Sequence, residues 1–300
     1  MPVQTDRVVV ITGANSGLGL CSALAMAAHG AKVLMACRDP ERGRTALDQV
    51  RGVATGPEPV LVQLDLADLG SVRSAVGDLS GQLTHLDVLM NNAGVMALPL
   101  RRTAEGFESQ FGTNHLGHFA LTVELLPLLR AADAPRVVTI SSQAHRIGRI
   151  RWDDPNWHQT YRRWPAYGQS KLANLLFAFE LDRRARAAGS PLRSVAAHPG
   201  YASTHLQAAG PEMSGNRLMA MTTGLGNRLL AQSAGMGALP QLFAATAPSA
   251  EGGDYYGPDG AFESRGHPTK VDASPAARDR AAWERMWSLS EDLTGARSDL

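Results

Sequence analysis

A tyrosine and a lysine four residues apart, in Tyr167-Gly168-Gln169-Ser170-Lys171, lead the apolar run Leu172-Ala173-Asn174-Leu175-Leu176-Phe177-Ala178-Phe179. Residues at this spacing share one face of an α-helix, so the phenol and the ammonium are expected side by side. A fixed cation favours phenolate, and so should lower a phenol pKa that starts near ~10. A phenol tuned in this way can exchange a proton with a carbonyl or alcohol oxygen. The pattern also arises by chance on ordinary amphipathic helices, so its meaning depends on the rest of the chain.

The elements that would position this pair begin at the N-terminal end. Arg7-Val8-Val9-Val10-Ile11 is a β-branched run expected to form a buried parallel strand. Thr12-Gly13-Ala14-Asn15-Ser16-Gly17-Leu18-Gly19 follows, then a helical pattern from Leu20 to His29 closed by Gly30, then a second apolar run from Lys32 to Cys37. Strand, glycine turn, helix and strand in about thirty residues is the context of a dinucleotide-binding unit. Its small residues let the backbone approach a pyrophosphate, whose charge suits a helix N-terminus.

The spacing of Gly13, Gly17 and Gly19 is T-G-x-x-x-G-x-G, which resembles the short-chain dehydrogenase/reductase family. Later landmarks of that family follow in order. Asn91-Asn92-Ala93-Gly94 comes after the run Leu86 to Met90, Asn114 lies in Gly112-Thr113-Asn114-His115-Leu116-Gly117-His118, and Ser142 ends Arg136-Val137-Val138-Thr139-Ile140-Ser141-Ser142. Tyr167 and Lys171 match its Y-x-x-x-K, Pro199-Gly200 its P-G, and Thr204 the threonine that often follows. The likeness covers about residues 5 to 260. It implies a Rossmann-type doubly wound parallel sheet flanked by helices on both faces, an α/β single domain. It also implies that Asn114, Ser142, Tyr167 and Lys171 are catalytic. Implied cofactor contacts are Gly13, Asn15, Ser16, Gly17, Leu18, Gly19, Asp65, Leu66, Asn92, Ala93, Gly94, Pro199, Gly200 and Thr204, with Tyr167 and Lys171.

On this likeness Tyr167 is the general acid in carbonyl reduction and the general base in reverse. Lys171 lowers its pKa and holds the nicotinamide ribose, Ser142 donates to the substrate oxygen, and Asn114 positions a water linking Lys171 to solvent. The wording Ala36-Cys37-Arg38-Asp39, Asn114-His115-Leu116-Gly117-His118-Phe119 and Ser170-Lys171-Leu172-Ala173-Asn174 resembles the retinol-dehydrogenase-like branch. Twenty-four residues separate Ser142 from Tyr167, against about a dozen in many relatives. This insert carries Trp152, Trp157, Tyr161 and Trp164 among arginines. It could shape the substrate entrance or be a surface excursion held down by its own aromatics.

The end of the second strand normally meets the adenosine ribose, where an acidic residue accepts from the 2′-hydroxyl and an arginine suits a 2′-phosphate. Here Cys37 stands at the position acidic in NAD-preferring relatives, and Arg38 follows, so NADP(H) is expected over NAD(H). Asp39 could point to the ribose and blunt that preference, and Arg42 is more simply a solvated side chain on the next helix.

At 300 residues and 44% hydrophobic, the chain can bury one large core. One domain spanning residues 1–300 is expected, with a substrate-loop region at about 201–237 and a helical tail at about 270–300. Met213, Leu218, Met219, Met221 and Leu225 could line an apolar pocket in that loop. The tail helix is read from Ala276 to Leu293, with Trp283, Met286, Trp287 and Leu289 on its buried face. A formal net charge of +1 gives no case for nucleic acid. Cys21 and Cys37 form no C-x-x-C, and His115 and His118 share a helix face without a third ligand, so no metal is expected. The first strand near residue 7 leaves no room for a signal peptide, and no run of eighteen apolar residues occurs. A soluble, cytoplasmic protein without a membrane anchor is therefore expected.

The leading expectation is an NADP(H)-dependent carbonyl reductase or alcohol dehydrogenase for a small, largely apolar substrate. A cofactor-binding regulator without turnover has no need of all four catalytic residues. An epimerase or dehydratase of the extended branch fits the glycine spacing poorly. The family likeness also implies a homodimer or homotetramer, which the insert before Tyr167 could block.

Overall fold

The computed structural model describes residues 1–201 and 232–300. Its first strand, β1 (Val8–Thr12), is buried along its whole length. Val8 and Val10 enter one apolar cluster while Val9 and Ile11 enter another, because successive side chains of a strand point to opposite faces. A continuous β-branched run thus marks a strand covered on both sides.

In chain order there follow α1 (Gly17–Ala28), β2 (Lys32–Cys37), α2 (Pro40–Arg51), β3 (Val60–Gln63), α3 (Leu69–Gln82) and β4 (Val88–Asn91). A short α4 (Ser109–Phe111) runs through a π-helical turn, Gly112–Leu116, into α5 (Gly117–Glu124) and α6 (Leu126–Arg130). Next come β5 (Arg136–Ile140), the long α7 (Arg163–Ala187), β6 (Arg193–Ala197), α8 (Ala234–Thr246), β7 (Tyr255–Pro258), β8 (Pro268–Lys270) and α9 (Arg280–Thr294).

The strands form one eight-stranded sheet in the order β3-β2-β1-β4-β5-β6-β7-β8. All neighbours are parallel except β7 and β8, an antiparallel edge pair. Side chains of α1, α2 and α8 cover one face, and those of α3, α5, α7 and α9 the other. This is the expected doubly wound fold. Chain order reverses between β1 and β4, so a crevice opens beyond their carboxyl ends, where ligands of such sheets sit. Both the glycine turn and Asn91-Asn92-Ala93-Gly94 leave the sheet at that point.

Some boundaries differ from the sequence expectation. Helix α1 starts at Gly17 rather than Leu20, directly after the extended Ser16. The tail breaks into a 3₁₀ turn, Pro275–Arg278, and α9, because the Asp279 side chain accepts from Ala281 N and starts a new helix there. On α9 Met286 and Trp287 are buried as expected, whereas Trp283 and Leu289 are only partly covered. Helix α7 is buried on every side from Ala166 to Asp182, so its sequence lacks a polar stripe. Among the described residues, no helix is long and apolar enough to cross a membrane.

Candidate active site

At the β1 end the glycines make room for backbone. A Cβ on Gly19 would lie 2.3 Å from the Gly13 carbonyl oxygen, so the first turn of α1 closes tightly on the loop before it. Thr12 ties this loop to the next: its hydroxyl accepts from Asn92 N and Ala93 N, both at 2.9 Å, and Asn92 Nδ2 donates to Thr12 O at 2.7 Å. The result is a cleft of about 410 Å³. Gly13, Asn15, Ser16, Gly17, Leu18 and Gly19 line its floor, and Asn92, Ala93 and Gly94 one wall. Arg38, Asp65 and Leu66 line its far end, joined by Asp39 and Arg42.

Charge at that far end is arranged by simple means. Cys37 is buried, which pushes its thiol up to about 11 against the backbone N–H groups of Ala14 and Asn15. The Asp39 carboxylate accepts from Glu41 N and Arg42 N at 3.0 and 3.1 Å, capping α2. One Asp39 oxygen is thus held at the helix end, while the residue still lines the cleft. Arg38 and Arg42 are exposed and face the cleft. Two guanidinium groups thus face the far end of the cleft beside one partly committed carboxylate, and a guanidinium can bind a phosphate oxygen pair.

Beyond Gly94 stands the wall that carries the four residues singled out for catalysis. A Cβ on Gly94 would lie 3.2 Å from Asn114 Oδ1 and 3.5 Å from Lys171 Nζ, so this glycine adjoins both. Lys171 Nζ donates to Ile140 O at 3.1 Å and lies 5.8 Å from the Tyr167 ring centroid. The Ser142 side chain lies close enough to the Tyr167 phenol to favour its charged form. Ser142 caps a 3₁₀ turn, Gln143–Arg146, accepting weakly from Ala144 N at 3.2 Å. The Asn114 amide clamps the strand after Gly94, accepting from Val95 N at 2.7 Å and donating to Val95 O and Ser170 Oγ at 2.9 Å.

The electrostatics of this wall differ from the sequence argument. Burial holds the Tyr167 phenol up at about 12, with the nearby Ser142 side chain pulling the other way. Burial also pushes the Lys171 ammonium down to about 8. Removing both groups from water therefore outweighs the mutual attraction that a four-residue spacing promises. A phenol in this state is protonated at neutral pH, ready to donate.

Two histidines complete the wall, and sequence reasoning assigned neither a role. His118 Nδ1 meets Asn114 O at 3.0 Å, and Nε2 meets Thr12 Oγ1 at 2.9 Å. Burial pushes its pKa down to about 4, so it is neutral, and donation from Nδ1 leaves Nε2 to accept the threonine hydrogen. One side chain thus links the π turn to the loop above the glycines. His145 meets Ser142 O at 2.7 Å and accepts from Ser274 N at 3.1 Å, and burial pushes it to about 4 as well. His115 is a core residue instead, on Ser290 Oγ at 2.8 Å and stacked on Phe111. Among the described residues no group of three metal-ligating side chains exists.

The insert before Tyr167 packs on the body of the protein. Trp157 is buried beneath the Arg151 guanidinium, 4.4 Å from its ring centroid, and Tyr161 donates to Leu98 O at 2.8 Å. Gln110 Nε2 donates to Tyr161 Oη and Arg163 O, both at 2.9 Å. Only its last tryptophan, Trp164, reaches the site, as the second residue of α7. Pro199 and Gly200 follow β6 but do not line the cleft, and Pro199 O accepts from Gln232 Nε2 at 2.7 Å. Thr204 and the methionines of the 201–237 region lie outside the described residues.

Comparison with known proteins is consistent across the chain. A family model described as short chain dehydrogenase matches residues 7–214. Human retinol dehydrogenase 14 is 36% identical over 304 residues, covering 96% of this chain and 86% of the relative. Human retinol dehydrogenase 13 is 37% identical over 292 residues, covering 96% and 85%. A crystal structure of an uncharacterized protein from Mycobacterium paratuberculosis superposes with a TM-score of 0.82 at 44% identity, covering 100% of this chain and 97% of that one. A Shigella flexneri short chain dehydrogenase complexed with NADP has the same fold, with a TM-score of 0.65 at 23% identity over 84% of this chain and 97% of that one.

Proposed function

Because the chain belongs to the short-chain dehydrogenase family, in its retinol-dehydrogenase-like branch, we propose that it is an NADP(H)-dependent oxidoreductase interconverting a carbonyl and an alcohol on a small, largely apolar substrate. The observation that carries this reading is that Lys171 and Asn114 stand against Gly94, at the wall of a glycine-lined cleft that also presents Arg38, with the Tyr167 ring 5.8 Å from the Lys171 ammonium.

Gly13, Asn15, Ser16, Gly17, Leu18 and Gly19 would hold the pyrophosphate, with Arg38 and Arg42 on the 2′-phosphate and Asp65 and Leu66 at the adenine. Asn92, Ala93, Gly94 and Lys171 would hold the nicotinamide half. The dinucleotide supplies or accepts hydride when bound. Tyr167 gives its proton to the carbonyl oxygen during reduction and takes it back during oxidation. Ser142 donates to the same oxygen as negative charge builds there. Lys171, fixed on Ile140 O, offsets phenolate charge on Tyr167. The Asn114 carbonyl keeps one lone pair beyond His118 for a water toward Lys171.

A buried phenol near 12 gives this scheme a pH signature. Reduction needs the protonated form and should vary little from pH 6 to 8, whereas alcohol oxidation needs phenolate and should rise with pH. The cofactor part is tested by kcat/KM with NADPH and with NADH on one ketone. A preference for NADPH is expected, and a tenfold preference for NADH would overturn it.

A further inference from the structure

Phe262 is 94% exposed, although it is a large aromatic side chain. Its backbone lies at φ 54° and ψ 29°, and Glu263 follows at φ 52°. Two successive L-residues in the left-handed region are strained, and such strain persists only where surrounding contacts enforce it. Those contacts lead to the site. The Gln143 side-chain amide, next to Ser142, donates to Phe262 O. Arg146, at the end of the Ser142 turn, pairs with Glu263 at 3.0 Å, and His198 Nε2 lies 3.0 Å from the other Glu263 oxygen. Tyr201 N, just after Pro199-Gly200, donates to Ser264 O at 2.7 Å. The strained turn is therefore bolted both to the Ser142 turn and to the loop after β6.

A second exposed aromatic borders Tyr167 from α7. Trp164 stands one helical turn before Tyr167, on the same face. Its ring is edge-on to the Tyr167 ring, with centroids 6.2 Å apart and planes at 80°, and it remains 48% exposed. The Phe262 carbonyl is thus held by the residue next to Ser142, and the Trp164 ring meets the Tyr167 ring directly. An exposed aromatic therefore stands beside each of these two segments, outside the apolar core.

We propose that Phe262 and Trp164 are specificity-determining residues for the carbonyl substrate, selecting molecules with a flat apolar body beside the reacting carbon. The proposal rests on the oxidoreductase reading above and deepens it. Flat rings offer large contact area in two fixed planes, and a planar partner covers both more fully than a small aliphatic one. The strain at Phe262 holds its ring out from the fold rather than against it.

The test compares NADPH-dependent reduction of 2-acetonaphthone and of acetone by wild type, Phe262→Ala, Phe262→Tyr and Trp164→Ala. In both alanine variants kcat/KM for 2-acetonaphthone is expected to fall about tenfold or more, mainly through KM, while acetone changes less than about threefold. Phe262→Tyr should stay near wild type. An unchanged ratio between the two ketones, or an equal fall on both, overturns the proposal while leaving the oxidoreductase reading intact. If wild type reduces neither ketone, that counts against the oxidoreductase reading. Calorimetric binding of 2-acetonaphthone to the NADPH-loaded protein then decides the proposal. Weaker binding by Phe262→Ala sustains it and equal binding rejects it. Phe262→Gly separates contact from folding: glycine relieves the left-handed strain, so Tm should rise while discrimination is lost.

Discussion

At the Arg38 end of the cleft, charged groups are exposed or committed to a helix end, and the surface is shaped by glycines and backbone N–H groups. At the Tyr167 end a phenol, an ammonium and two imidazoles lie buried, each moved from its ordinary pKa by loss of water. On the proposed function, one end would recognise by shape and open charge, which tolerates solvent. The other would do chemistry with groups whose proton affinities are shifted because the fold desolvates them. Backbone would then serve binding and burial reactivity.

The sharpest way to break the comparison is Lys171→Met. It should lower turnover by about a hundredfold or more, because the phenolate loses the ammonium beside it. It should also raise the stability of the cofactor-free protein at neutral pH by ~1–3 kcal/mol, because a buried charge is gone while Asn174 Nδ2 still serves Ile140 O at 2.9 Å. Turnover and chemical denaturation check the two halves. At the other end, Arg38→Glu should cost about tenfold in kcat/KM with NADPH and little with NADH, as expected of one exposed charge-assisted contact. Parallel kinetics with both cofactors check this.

His118→Phe joins the two ends in one experiment. It removes the short acceptor of the Thr12 hydroxyl hydrogen, leaving only Met90 O at 3.3 Å, and the side-chain donor to the Asn114 carbonyl, so stability should fall by ~1–3 kcal/mol and KM for NADPH should rise a few-fold. A further effect, of comparable size, is in pH. Lys171 sits near 8 in the fold and near ~10.4 in an unfolded chain, so between those values the unfolded state binds more protons. Stability of wild type relative to Lys171→Met should therefore rise as pH goes from 8 to 10, and urea melts across that range measure it.

The sheet, the glycine turn and the bringing together of Asn114, Ser142, Tyr167 and Lys171 were legible in the sequence, because local pattern and motif order specify them. The pKa direction of Tyr167 was not, since helical spacing says nothing about how deeply α7 is buried. Nor were the roles of His118 and His145. Their partners Thr12 and Ser274 are more than a hundred residues away in the chain, and a tautomer is fixed only once both ring nitrogens are placed. Phe262 gave no signal either, because backbone strain at a turn leaves no residue pattern when the residue is not glycine. The break at Asp279 was visible in principle, as an Asp before a helical run following Pro275.

The most direct test is Tyr167→Phe, assayed for NADPH-dependent ketone reduction alongside NADPH binding. The expected result is near-complete loss of turnover with the dissociation constant for NADPH little changed. Ordinary turnover in that variant would contradict the assignment of Tyr167 as the proton-transfer group.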